Sequence, residues 1–105
     1  MSGKEKSAGS SAIREKPKEK TKEPRQYQVI MLNDDFTTME FVVEILMDIF
    51  GKDLNAATEL MLLVHRSGRA AVGIYPYDIA TSKVEKALTR AKLNGFPFRM
   101  LVEEA

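Results

Sequence analysis

Apolar residues along this chain form β-prone runs and stretches of helical spacing, and together they predict six elements. Three short stretches are apolar and β-prone, which predicts strands over residues 27–32, 69–75 and 98–102. Between them, apolar residues recur every three or four positions, which predicts helices over residues 38–50, 54–66 and 77–93. The order β-α-α-β-α-β, without an internal repeat, predicts an α+β fold in which a small three-stranded antiparallel sheet packs against three helices.

Capping residues set the predicted helix boundaries. Thr37-x-x-Glu40 is a capping-box pattern, in which Thr37 accepts a hydrogen bond from the backbone at Glu40 and Glu40 reaches back. Asp53 is the predicted cap of the second helix, and Gly68 is its predicted end. Residues 103–105 follow the last predicted strand and are predicted to fray.

Residues 1–25 have a different composition from the rest of the chain. They are mostly Lys, Glu, Ser, Gly and Pro, and Ile13 is their only large aliphatic residue. Such a segment cannot bury enough apolar surface to offset the entropy lost on ordering. We therefore expect a disordered basic N-terminal extension over residues 1–25 and a core domain over residues 26–105. The extension is either a solvated tail without a role or a flexible handle that another protein grips.

Charge is divided in the same way. Residues 1–25 hold eight Lys/Arg and four Glu, for a net charge of +4, whereas residues 26–105 hold eight Lys/Arg and eleven Asp/Glu, for a net charge of −3. An acidic domain argues against nucleic acid as its ligand. The chain has no cysteine, which excludes disulfides and thiolate metal sites. Neither a membrane span nor a secretory signal is visible, so we expect no membrane association and a cytoplasmic location.

The turn after the first predicted strand is unusually rich in polar side chains. Asn33, Asp34 and Asp35 place an amide and two carboxylates next to the threonines that precede the first helix. A chain that only needs to reverse direction can use Asn-Gly or Asp-Gly instead. His65, the only histidine, lies in the last turn of the second predicted helix and can approach this turn if the two helices pack together. Amide, carboxylate and imidazole acceptors suit an ammonium group, which has three donors and no acceptor.

Apolar side chains flank this polar turn. Met39, Val42 and Met61 are expected to line an apolar hole beside it, and the flexibility of methionine suits varied guests. Two other interpretations stay open: ordinary turn-and-cap chemistry with a packed histidine, or a metal site made by Asp34, Asp35 and His65. The metal site lacks close ligand spacing such as His-x-x-x-His. Because no phosphate loop, nucleophile triad or paired-carboxylate cleft is visible, we expect neither catalysis nor a cofactor.

The segment Asn-Asp-Asp-Phe-Thr-Thr-Met-Glu-Phe-Val-Val, at residues 33–43, resembles the ClpS adaptor family. Matches continue in register through residues 57–65, Gly68 and residues 73–75, and then through residues 80–84 and 97–98. The resemblance covers residues 26–105, whereas residues 1–25 match the family only in being a polar tail.

The resemblance implies an adaptor of the bacterial N-degron pathway. Such adaptors bind proteins whose first residue is Leu, Phe, Tyr or Trp and deliver them to a Clp-type AAA+ unfoldase, ClpA or a relative, coupled to the ClpP protease. By position, the α-ammonium group would be held by Asn33, Asp34 and His65. The side-chain pocket would be lined by Thr37, Met39, Val42, Met61 and Phe98. Asp78 and Lys83 match the surface that docks the N-terminal domain of the unfoldase, and we expect a monomer.

Two residues depart from the family pattern, and two other functions remain alternatives. Thr38 stands where the family often has Pro, and Phe98 where it usually has Leu, which bears on guest preference. One alternative is a ribosome-associated domain, since the family fold resembles the C-terminal domain of the ribosomal stalk protein. That domain lacks the Asn-Asp-Asp turn and its histidine partner, and fold alone does not fix function. The other alternative is a metal-dependent hydrolase using Asp34, Asp35 and His65.

Overall fold

Three strands and three helices follow one another in the predicted order β-α-α-β-α-β. The structure is a computed structural model that describes residues 25–105. The elements are β1 (Gln26–Leu32), α1 (Met39–Asp48), α2 (Leu54–Ser67), β2 (Arg69–Pro76), α3 (Tyr77–Leu93) and β3 (Arg99–Glu104). The predicted N-terminal extension lies outside the described residues, except for Arg25.

The sheet has the order β2-β1-β3, and β1 pairs antiparallel with both neighbours, which confirms the predicted fold class. Leu32, the last residue of β1, lies opposite Arg69 on one side and Arg99 on the other. The end of β1 therefore meets the beginnings of β2 and β3 at one edge of the sheet. The turn that starts at Asn33 lies at this edge.

The core lies between the sheet and the helices. Along β1, Val29 and Met31 are fully buried, and they pack with residues from all three helices. The helical residues of this cluster are Phe41, Ile45, Leu46, Ala57, Met61, Val64, Ala80, Val84, Ala87 and Ala91. Ile30, between Val29 and Met31, is also buried but lies outside this cluster. The helical members recur every three or four residues, as the sequence predicted.

The start of α1 differs from the prediction. Thr38, not Thr37, is the N-cap, and its hydroxyl accepts from the backbone N–H of Phe41 at 3.2 Å. The hydroxyl of Thr37 instead donates to the carboxylate of Asp34 at 2.7 Å. The predicted capping box is therefore wrong. The Thr37 hydroxyl is hydrogen-bonded to Asp34, and the adjacent Thr38 caps the helix in its place.

The end of β3 also differs from the prediction. Glu103 and Glu104 were expected to fray, but both continue the antiparallel pairing with β1. Glu103 forms an ion pair with Arg69 at 3.0 Å, and Glu104 pairs with Arg25. By contrast, the caps of α2 are as predicted: the Asp53 side chain accepts from the N–H of Ala56, and Gly68 ends the helix with a left-handed φ of 88°.

Candidate ligand-binding site

A cavity of about 150 Å³ opens where the end of β1 meets α1 and α2. Its lining consists of Leu32, Asn33, Asp34, Asp35, Thr37, Met39, Val42, Met61, Val64, His65 and Phe98. All eight residues that the sequence assigned to the ammonium site and to the side-chain pocket lie around this one cavity. Their binding roles stay predictions, but the structure brings them together.

Two lining residues were missed at the level of sequence, Leu32 and Val64. Val64 lies three residues after Met61 on α2, so helical periodicity places it on the same face and could have identified it. Leu32 immediately precedes Asn33, but a strand residue beside a turn carries no comparable signal.

A backbone hydrogen bond joins the elements that form the cavity. The N–H of Asn33 donates to the carbonyl of Gly68 at 2.9 Å, which ties the turn after β1 to the end of α2. His65 lies in the last turn of α2, three residues before Gly68. The left-handed φ of Gly68 lets the chain leave α2 and enter β2 next to β1, which glycine allows without a steric penalty. His65 therefore comes to the same cavity as Asn33.

The Asp34 carboxylate is held in place by three hydrogen bonds from its own turn. The backbone N–H groups of Phe36 and Thr37 both donate to Oδ1 at 2.8 Å, and the Thr37 hydroxyl donates to Oδ2 at 2.7 Å. Partial burial raises the pKa of Asp34, but these hydrogen bonds and the charge of Arg99 together lower it below the ordinary value. An ionised carboxylate has about four acceptor positions, so Asp34 keeps capacity for a further donor.

The apolar wall of the cavity has a buried part and an exposed part. Met61 and Phe98 are 9% and 5% exposed, and the Phe98 ring packs edge-to-face on Phe41 with centroids 5.9 Å apart. Met39, at the first position of α1, is 45% exposed. The cavity therefore has a fixed aromatic wall and one flexible thioether side chain at the solvent boundary.

The two residues assigned to docking by resemblance have different surroundings on α3. Asp78 is exposed in the first turn, between Tyr77 (57% exposed) and Ile79 (46% exposed). Lys83 is half-buried, and its ammonium group donates to the carbonyl of Ile49 at 2.8 Å. The same group lies 5.2 Å from the ring centroid of Tyr75, a distance typical of a cation–π contact. Among residues 25–105, the Asp78 carboxylate accepts only from the adjacent N–H of Ile79, at 3.1 Å, and stays exposed, whereas the Lys83 ammonium group contacts residues far along the chain.

Neither a metal cluster nor a membrane helix is found in the part of the chain that the structure describes. Within residues 25–105, no three His, Cys, Asp or Glu side chains are close enough together to hold a metal ion. Asp34, Asp35 and His65 therefore do not form such a cluster, although all three line the cavity. None of the helices in these residues is long and apolar enough to cross a membrane.

The fold and the cavity define a small α+β domain in which amide, carboxylate and imidazole side chains adjoin apolar ones around one cavity. Residues 22–101 match the family model of the ATP-dependent Clp protease adaptor protein ClpS. Since the match covers most of the chain, the protein belongs to the ClpS family.

Curated relatives and a solved structure agree with this assignment. An ATP-dependent Clp protease adapter protein ClpS of Burkholderia mallei is 47% identical over 95 residues, which cover 90% of this chain and 91% of the relative. The ClpS of Burkholderia thailandensis is 48% identical over the same length. The structure of Agrobacterium tumefaciens ClpS2 bound to L-phenylalaninamide matches with a TM-score of 0.76 and 35% identity, covering 79% of this chain and all of that one.

Proposed function

We propose that this adaptor binds proteins whose first residue is bulky and hydrophobic (Leu, Phe, Tyr or Trp) and delivers them to a Clp AAA+ unfoldase for degradation by ClpP. The observation that carries the proposal is the apolar cavity directly beside the acceptors of Asn33, Asp34 and His65. Only at its first residue does a protein chain carry an ammonium group and a hydrophobic side chain on the same carbon atom. A site with acceptors and an apolar hole side by side therefore selects a chain terminus over an internal residue.

The proposed ligand fits the cavity in charge and in size. The three N–H donors of the α-ammonium group would meet the Asn33 amide oxygen, the Asp34 carboxylate and an imidazole nitrogen of His65. The side chain would enter the hole walled by Thr37, Met39, Val42, Met61 and Phe98. An apolar cavity of about 150 Å³ in another protein holds a benzene molecule, so a phenyl ring or a leucine side chain is of suitable volume. The L-phenylalaninamide bound to Agrobacterium ClpS2 supports the same chemistry.

Peptide titration tests this proposal directly. A labelled peptide that begins with Leu or Phe should bind, and its N-acetylated copy should not, because acetylation removes the cation. Hydrogen bonds to charged groups contribute about 1.5–3 kcal/mol each, so acetylation should weaken binding by at least about tenfold. His65→Ala and Asp34→Ala should each weaken peptide binding by a similar factor. Equal affinity for the free and acetylated peptides, measured by fluorescence anisotropy, would refute the ammonium site.

Delivery would use the amino-terminal end of α3 and the chain that precedes β1. We propose that Asp78, with the exposed Tyr77 and Ile79 beside it, docks the N-terminal domain of the unfoldase, and that Lys83 belongs to the same surface. The Tyr27 ring packs edge-to-face on Tyr77 with centroids 5.0 Å apart, so β1 begins beside this surface. A handle formed by residues 1–25 would therefore start next to the docked unfoldase, and residues 26–105 would form the binding core.

The remaining features of the proposal follow from this role. The protein would act as a monomer in the cytoplasm, as a binding protein and not as an enzyme, without a cofactor. Its partners would be N-degron proteins and the unfoldase, not nucleic acid or a membrane. The specific Clp unfoldase would be ClpA or a relative.

A further inference from the structure

Arg99 places a positive charge at the edge of the cavity, and the proposed function does not use it. It is the first residue of β3 and directly follows Phe98, which lines the cavity. In the sheet it lies opposite Leu32, another lining residue, immediately before Asn33. Among residues 25–105 the arginines in ion pairs are Arg25, Arg69 and Arg90, so Arg99 has no carboxylate partner in this part of the chain.

The Arg99 side chain is open to solvent. Its neighbours Phe98 and Met100 are buried at 5% and 7% exposure, and the alternation along a strand puts Arg99 on the opposite, exposed side. Partial burial raises the pKa of Asp34 and its hydrogen bonds lower it, and the charge of Arg99 adds to that lowering. Arg99 is thus close enough to act on Asp34 electrostatically without being bonded to it.

A bound chain that leaves the cavity over this edge would pass Arg99. When the first residue fills the cavity and its ammonium group sits at Asn33 and Asp34, the second and third residues would then lie beside Leu32 and Arg99. The ligand ammonium would offset the charge of Asp34, which leaves Asp35 as the other carboxylate of the lining and Arg99 as a cation beside it. A guanidinium group offers paired N–H donors that match a carboxylate, and it is only weakly hydrated.

We propose, building on the proposed N-terminal binding function, that Arg99 is a specificity-determining residue that pairs with an acidic side chain at the second or third ligand position. The adaptor would then accept chains in which Glu or Asp follows the bulky first residue. An exposed ion pair contributes up to about 1 kcal/mol, so the effect should be up to about fivefold in Kd.

A peptide series with changes only at the second or the third position tests Arg99. The peptides begin with Leu and carry Glu, Gln or Lys at the tested position, and binding is measured by anisotropy at low and at high salt. In the wild type we expect the Glu peptide to bind at least as tightly as the Gln peptide. In Arg99→Gln we expect the Glu peptide to weaken about threefold to fivefold relative to the Gln peptide, and high salt should reduce this difference. Arg99→Glu should shift the preference to Lys.

Two comparisons separate the local effect of Arg99 from other effects. Arg90→Gln removes the same charge from α3, away from the cavity lining, and should leave every affinity ratio unchanged. Removal of Arg99 also relieves repulsion of the ligand ammonium group, but that effect is shared by all peptides and cancels in the ratio. A Glu-to-Gln ratio that is unaltered by Arg99→Gln at both positions would overturn the inference. Failure of the wild type to bind even the Gln peptide would instead refute the N-terminal site itself.

Discussion

The substitution Thr37→Val tests whether the hydrogen bonds within the turn prepare Asp34 for a ligand. Valine keeps the branched shape of threonine but lacks the hydroxyl, so the 2.7 Å bond from Thr37 Oγ1 to Asp34 Oδ2 is lost. The two backbone N–H groups that donate to Oδ1 at 2.8 Å remain. The carboxylate should therefore stay in the turn but lose the contact that fixes its second oxygen.

The expected loss of stability is modest. Hydrogen bonds to charged groups contribute about 1.5–3 kcal/mol, but Asp34 and Thr37 are only half-buried and water can replace the lost donor. We therefore expect the free energy of unfolding to fall by about 1 kcal/mol, which lowers Tm by roughly 4–8 °C for a domain of this size. Peptide affinity should fall about threefold to tenfold, because the freed carboxylate must be oriented again when the ammonium group binds.

The pH dependence gives the sharper readout. Partial burial raises the pKa of Asp34, and the Thr37 hydroxyl is the largest contribution that lowers it, so the pKa should rise in the variant. A carboxyl group with a depressed folded-state pKa contributes stability above its unfolded pKa of about 4, and this contribution is lost as the pH falls through the folded-state value. Thr37→Val should therefore lose peptide binding at a higher pH than the wild type during a titration from pH 6 to about pH 3.

Thr38→Val is the matched control for this experiment. It removes the neighbouring hydroxyl, which caps α1 through the N–H of Phe41 and does not bond Asp34. Loss of an N-cap costs about 1 kcal/mol, so the control should be destabilised by a similar amount without a change in the pH profile of binding. If Thr37→Val also loses stability but binds peptide with the wild-type affinity and pH midpoint, the hydroxyl only holds the turn and the reasoning is wrong.

Four further predictions concern the cavity wall, the docking surface and the extension. Met39→Ala should allow binding of peptides that begin with Ile or Val, because their branched Cβ would clash with the exposed Met39 thioether in the wild type. An unchanged preference for Leu would show that Met39 does not exclude them. Phe98→Leu should improve binding of N-terminal Trp relative to Leu, since pocket fit discriminates side chains by about 1–3 kcal/mol; the same ranking in both proteins would contradict this. Lys83→Met should lower the free energy of unfolding by about 1–2 kcal/mol, measured by urea denaturation, because it removes the bond to Ile49 and the contact with Tyr75. Loss of unfoldase binding without loss of stability would make Lys83 a docking contact only. Deletion of residues 1–22 should leave peptide binding intact but abolish degradation of a folded reporter with N-terminal Leu. A scrambled tail of equal length and composition should support degradation. A full degradation rate with the truncated protein would refute the proposed role of the extension.

Local patterns in the sequence predicted the elements well because the helices keep a three-to-four-residue apolar spacing and the strands are short β-prone runs. The α2 cap at Asp53 and its end at Gly68 depend on residues within a few positions, and both were predicted. The start of the first helix was harder to predict, because either Thr37 or Thr38 can act as its N-cap. Thr38 does so because the Thr37 hydroxyl donates to Asp34.

Long-range pairs were beyond local reasoning. The end of β3 looked like a polar tail, but Glu103 is paired with Arg69, 34 residues earlier in the chain. In the same way, Lys83 matched a docking position, yet its ammonium group bonds the carbonyl of Ile49. Asn33, Asp34, Met39 and Val42 could be proposed together because acceptors and apolar side chains adjoin at residues 33–42, whereas Thr37 and Phe98 were implied only by the family resemblance. Their convergence with His65 involves tertiary contacts, among them the backbone bond from Asn33 to Gly68, that no local pattern reveals.

The central position of β1 has a mechanical consequence. Tension applied to the chain ahead of Arg25 would enter the sheet at the amino end of β1, where the N–H of Ala105 donates to the carbonyl of Gln26. Because β1 is hydrogen-bonded to a neighbour on each side, pulling it out along its axis would shear two ladders at once. The ligand cavity lies at the far end of this seven-residue strand, about 20 Å from the point of pulling. Because the two ladders share the load, a motor that pulled on the proposed extension would have to break them together before β1 and the turn beside the cavity could move.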